Sequence, residues 1–142
     1  SSLGAAEMIG REDVDPGLGR PMLAGRWAAV VDTIGGSVLA GALKSMKLRG
    51  VATCCGLVAS AELRTSIYPF ILRGVRLIGV DCAECPIEIR RELWGLLAGP
   101  WKVDVIRELY TEIGLEELDE YVDRMLAGGS RGRVVVDLSL RP

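Results

Sequence analysis

Residues 27–56 read W-A-A-V-V-D-T-I-G-G-S-V-L-A-G-A-L-K-S-M-K-L-R-G-V-A-T-C-C-G, and this stretch decides the fold. Trp27–Asp32 is apolar at consecutive positions, the pattern of a strand buried on both faces between helical layers. Gly35-Gly36 ends it. Ser37 is suited to cap a helix running to about Lys47, with Val38, Leu39, Ala42, Leu43 and Met46 on one stripe. Residues 50–55 repeat the doubly apolar strand, and Gly56 closes it. Strand, helix and strand at this spacing predict a parallel α/β unit with a right-handed crossover.

The pattern continues on both sides. A loop over 57–66 leads to a short helical turn at Tyr68–Arg73 and a third strand over 75–81. Pro86 suits the first position of the next helix, whose apolar face carries Ile89, Leu93, Leu96 and Leu97 before Gly99-Pro100 stops it. Residues 109–113 predict a short strand. Residues 115–127 predict an amphipathic helix with Leu118, Val122, Met125 and Leu126 inward, and residues 133–138 a final strand. Toward the N-terminus, Glu7-Met8-Ile9 is a strand candidate and residues 11–26 a loop rich in Pro and Gly. The opening Ser1-Ser2-Leu3-Gly4 reads as the last turn of a helix with a Gly cap, so a longer parent is expected.

Composition narrows the function. With 49% hydrophobic and 25% charged residues, the 142-residue chain is not disordered. Its apolar runs fall short of the ~18 residues of a membrane helix, which predicts a soluble protein, and four cysteines without a secretory signal predict a reducing, cytoplasmic compartment. Seventeen Lys and Arg against 19 Asp and Glu give a net charge of −2, with no basic cluster to meet a nucleic-acid backbone. There is no His, which excludes Ser-His-Asp and Cys-His catalysis and removes the commonest zinc ligand. Chemistry is left to carboxylates, Cys, Tyr, Lys or a cofactor.

In parallel sheets, ligands bind beyond the carboxyl ends of the strands. Three such ends are marked by Gly or Asp: Asp32 to Gly36, Cys55 to Leu57, and Gly79 to Cys82. Their glycines admit either a ligand close to the backbone or simply a tight turn. Asp32 and Asp81 are suited either to act as a base or ribose ligand, or to cap the turn that follows. Neither G-x-G-x-x-G nor G-x-x-x-x-G-K-[ST] occurs, so no phosphate-cradling loop is present. Cys82-Ala83-Glu84-Cys85 is a C-x-x-C before a helix, open to a redox, zinc or incidental reading. Cys54 and Cys55, adjacent on a strand, point to opposite faces and do not serve one metal.

The stretches W-A-A-V-V-D-T-I-G-G, V-A-T-C-C-G-L, Y-P-F-I-L-R-G-V-R-L-I-G-V-D and G-L-E-E-L … G-R-V-V-V-D-L together resemble the C-terminal half of the medium-chain dehydrogenase/reductase superfamily. Within it the likeness is to the zinc-independent acrylyl-CoA reductase or quinone oxidoreductase branch, the YhdH/YhfP family. The resemblance implies a partial Rossmann-like α/β sheet over residues 1–100, lacking its first βαβ, and over 101–142 a strand-helix-strand segment of the GroES-like catalytic domain. It implies a parent enzyme that uses NADPH to reduce an activated carbon–carbon double bond or a quinone. For this chain, with neither the phosphate loop nor the substrate domain, it implies weak or no NADPH binding and no activity.

By the same resemblance the cofactor meets Asp32 and Thr33 at one strand end, Gly56 and Leu57 at the next, and Ile71, Asp81 and Cys82 on the nicotinamide side. Arg11 matches a basic residue near the adenosine 2′-phosphate, and Arg131 lies where the family's chain returns beside the cofactor. The family commonly carries Ser at the position of Cys82, so the C-x-x-C is a departure. No catalytic residue or metal site is implied in this stretch. In the family's strand order, the missing strands leave Glu7 to Ile9 without partners and the Trp27 strand as an exposed edge. A homodimer or larger assembly is therefore expected, by edge pairing or exchange of elements, or through the strand over 75–80. A different class of reading is a stand-alone, non-catalytic α/β binding module.

Overall fold

A computed structural model describes residues 4–14 and 19–139. The expected helix end at residues 1–3 and part of the 11–26 loop, residues 15–18, fall outside the described residues. The chain divides into two compact units, Ser1–Ile87 and Glu88–Pro142.

The first unit is built on β1 (Trp27–Asp32), α1 (Gly36–Lys44), β2 (Met46–Cys54), α2 (Tyr68–Arg73) and β3 (Arg76–Gly79). The three strands form a parallel sheet in the order β1-β2-β3, as the strand-helix-strand spacing predicts. Val30, Ala52 and Leu77 stand side by side in register and face α1 and α2. Together with Leu39, Leu43, Met46 and Val75 they make the core, in which Leu43 and Met46 are fully buried.

Several expectations are corrected. The sheet is covered on one face: the next register row, Val31 and Ile78 with Thr53 between them, leaves Val31 79% and Ile78 46% exposed. A run of apolar residues does not distinguish a strand buried on both faces from one with an uncovered apolar face. Helix α1 begins one residue before Ser37, capped by Gly35, and ends at Lys44 because Met46 and Lys47 already belong to β2. Between Trp27↔Met46 and Ala29↔Val51 the register slips, so residues 47–50 bulge outward, with Arg49 at a left-handed φ of 59°. Glu7 to Ile9 is not a strand, for among the described residues no strand lies beside it to complete a ladder.

The second unit holds most of α3 (Ile87–Ala98) and a parallel pair, β4 (Tyr110–Ile113) and β5 (Arg133–Val136), joined through a 3-10 turn and α4 (Leu118–Leu126). This is the predicted strand-helix-strand tail. Gly114 starts the helix, its amide donating to Glu117 Oε2 at 3.0 Å. The apolar stripes are less buried than their periodicity suggests. Ile89, Leu93 and Leu97 of α3 are exposed, and so are Val122, Met125 and Leu126 of α4, which were expected inward.

Candidate functional site

Parallel pairing sets the site. Asp32, Cys54 and Gly79 share one register row at the carboxyl ends of β1, β2 and β3, so the residues that follow leave the sheet at the same level. Beyond them lies a cleft of about 560 Å³ whose wall includes Gly35, Gly36, Gly56, Leu57, Gly79 and Asp81. Its size is that of a small-molecule site. Among the described residues its lining includes the acidic Glu62 and Asp81 and no Lys or Arg.

The two strand-end aspartates both cap turns. Asp32 is 5% exposed; its Oδ2 accepts from the Gly35 amide at 3.0 Å, and Oδ1 from the amides of Gly35 and Ile34 at 3.2 and 3.3 Å. The buried carboxylate thus orders the β1–α1 turn, where Gly35 and Gly36 adopt φ of 70° and 59°. Asp81 is exposed, and its Oδ1 accepts from the amides of Ala83 and Glu84 at 2.9 and 3.1 Å. One of its oxygens keeps the cleft-side turn, leaving the other carboxylate oxygen outside those two bonds.

The glycines divide by what surrounds them. A Cβ on Gly35 would meet the Ser60 carbonyl oxygen at 2.5 Å, and one on Gly56 would meet Thr33 backbone carbon atoms at 2.8 and 2.9 Å. These two are required by backbone packing around the cleft floor. Gly79 has no atom within 4 Å of such a Cβ, so its small size leaves open space at the third strand end.

Of the residues implicated by the sequence, Gly56, Leu57 and Asp81 line this cleft together. Asp32 and Thr33 line a second one of about 350 Å³, between β1 and the segment carrying Glu7, Ile9 and Val14. Cys82 is exposed beside Asp81, and Ile71 on α2 is 65% exposed and outside both linings. Arg11 is exposed in a 3-10 turn, and Arg131 belongs to the second unit. Sequence reasoning missed Ser60 and Glu62 on the rim, which sit in a loop without a motif. It also missed Arg73. That guanidinium donates to the carbonyls of Leu23 and Met46 at 2.6 Å and of Lys44 at 3.1 Å, tying the end of α2 to the chain before β1, the end of α1 and the start of β2. No sequence signal marks its placement, because all three partners are backbone carbonyls.

Among the described residues no group of three or more His, Cys, Asp or Glu is placed to hold a metal ion. No helix among them is long and apolar enough to cross a membrane.

No protein-family model matches the chain. Individual proteins do. YhfP of Bacillus subtilis, a quinone oxidoreductase candidate by name, is 36% identical over 137 residues, and the acrylyl-CoA reductase AcuI of Ruegeria pomeroyi is 33% identical over 139. These alignments cover 96% and 98% of this chain and 42% of each relative. Among solved structures, Escherichia coli YhdH with bound NADPH superposes at a TM-score of 0.85 and 33% identity, over 97% of this chain and 42% of that one. Bacillus subtilis YhfP with bound NAD gives 0.90 and 36%, over 96% and 42%. The chain is thus similar, over nearly its whole length, to part of these oxidoreductases. It spans less than half the length of the relatives it matches.

Proposed function

We propose that the chain forms part of the cofactor-binding half of an NADPH-dependent reductase acting on an activated carbon–carbon double bond, as in an acryloyl thioester, or on a quinone. The observation that carries this reading is the cleft at the joint carboxyl ends of β1, β2 and β3, in a chain related to proteins solved with NADPH and NAD. Residues 1–100 would then be the partial nucleotide-binding domain, and 101–142 the last segment of the catalytic domain.

The lining fits the uncharged half of the cofactor. Two carboxylates and a glycine- and leucine-bearing floor suit a nicotinamide ring and ribose hydroxyls and oppose a pyrophosphate. Gly56, Leu57 and Asp81 would hold the ring and ribose, with Cys82 at the rim. Asp32 and Thr33 would shape the floor through the β1–α1 turn. Ile71, Arg11 and Arg131 would join the cofactor only in the assembled parent. The cofactor supplies the hydride; these residues orient it. The chain alone would hold NADPH weakly and be inactive.

The test is a backbone NMR titration with reduced nicotinamide mononucleotide and with NADPH. The expected outcome is weak, millimolar-range binding with shifts at Gly35, Gly56, Leu57 and Gly79 to Asp81. Absence of shifts there, or shifts confined to other surfaces, would return the chain to a binding module of another kind.

A further inference from the structure

The loop between β3 and α3 carries chemistry that the cofactor reading does not use. Cys82 and Cys85 are separated by Ala83 and Glu84, and the chain bends at both intervening residues. The bend is held by the Asp81 carboxylate, which accepts from the Ala83 and Glu84 amides. The spacing is that of the first and last residues of a four-residue turn, whose Cα atoms lie within ~7 Å when the turn closes, a range that includes the ~4.4–6.8 Å of a disulfide.

We propose that Cys82 and Cys85 are a reversible dithiol, oxidised by low-molecular-weight disulfides of the glutathione class. Neither is disulfide-bonded in the structure. Cys82 is exposed and Cys85 half-buried, which sets the order of events. The Cys82 thiolate attacks the small disulfide, forming a mixed disulfide and releasing one thiolate. The Cys85 thiolate then attacks the Cys82 sulfur, closing the protein disulfide and releasing the second. Two protein thiols lose two protons and two electrons, and one small disulfide becomes two thiols. The Cys82 and Cys85 sulfurs make long contacts with the carbonyls of Val80 and Pro86, each 3.8 Å.

The other cysteines are arranged differently. Cys54 packs against the core, while the exposed Cys55 donates to the Asp32 carbonyl at 3.4 Å.

Arg76 and Arg90 bracket a tryptic peptide, residues 77–90, that contains Cys82 and Cys85 and no other cysteine. The purified chain would be equilibrated in glutathione buffers from fully reduced to fully oxidised, acid-quenched, alkylated and digested. In oxidised buffer the peptide is expected unalkylated and two hydrogens lighter than the dithiol, and treatment with reductant restores alkylation at both sulfurs. In Cys85→Ser, where the resolving thiol is absent, oxidation is expected to stop at a glutathione adduct on Cys82. Alkylation of both cysteines across the whole buffer series overturns the proposal. So does a wild-type end product in which either sulfur is joined to glutathione, Cys54 or Cys55.

Discussion

Gly56 lies so close to Thr33 that a Cβ there would stand 2.8 Å from the Thr33 carbonyl carbon and 2.9 Å from its Cα. The obstacle is backbone, which a rotamer change does not relieve. Gly56→Ala must therefore part the end of β2 from the end of β1, at the floor of the cleft. The expected destabilisation is about 1–3 kcal/mol, read from urea denaturation. Gly79→Ala, with open space around it, is expected to leave stability within about 0.5 kcal/mol of the parent chain.

Asp32 is expected to matter for stability more than for ligand contact. Asp32→Ala leaves the amides of Gly35 and Ile34 without the acceptor they now share, in a buried turn. The expected cost is about 1–3 kcal/mol, with faster amide exchange at Gly35 as the local signature. Asp32→Asn keeps one acceptor oxygen and should cost less. Equal stability of the Ala variant and the parent would assign the turn's order to the glycine backbone alone.

Arg73 joins three carbonyls drawn from the chain before β1, the end of α1 and the start of β2. Only a planar guanidinium reaches several acceptors in fixed directions. Arg73→Ala is expected to cost about 1.5–3 kcal/mol in a denaturant titration. Arg73→Lys should recover part of the loss, because an ammonium keeps the charge without the fork.

These residues mark how far the sequence could be read. The parallel unit was legible because Trp27–Asp32 and the repeat at 50–55 flank a helical stripe, and the turn-capping alternative for Asp32 and Asp81 follows from a carboxylate placed just before a turn. The uncovered face was not legible: Val31 and Ile78 are as apolar as Val30 and Leu77, and only the structure distinguishes the row that meets α1 and α2 from the row that meets water. Arg73 was illegible for a different reason. Its partners are backbone carbonyls, which carry no side-chain signature, and one lies 50 residues away. The carboxyl-end cleft was legible as a place, through its glycines. Its two-carboxylate rim was not, because Glu62 reaches it from a loop.

The last prediction concerns β1. Among the described residues it pairs with β2 along one side only, so its other side, next to the exposed Val31, is left as a sheet edge among them. Such an edge pairs readily with another strand, and the chain alone is expected to self-associate through it. Light scattering at micromolar concentration should give a dimer or larger species. Val31→Lys places a charge against the edge that a paired strand would have to desolvate, and it should shift the chain toward monomer. Since Val31 is 79% exposed, the change should alter the stability of the monomer by no more than about 0.5 kcal/mol. A parent chain that scatters as a monomer at the same concentration would mean that the Glu7 to Val14 segment, which walls the cleft beside β1, already screens the edge.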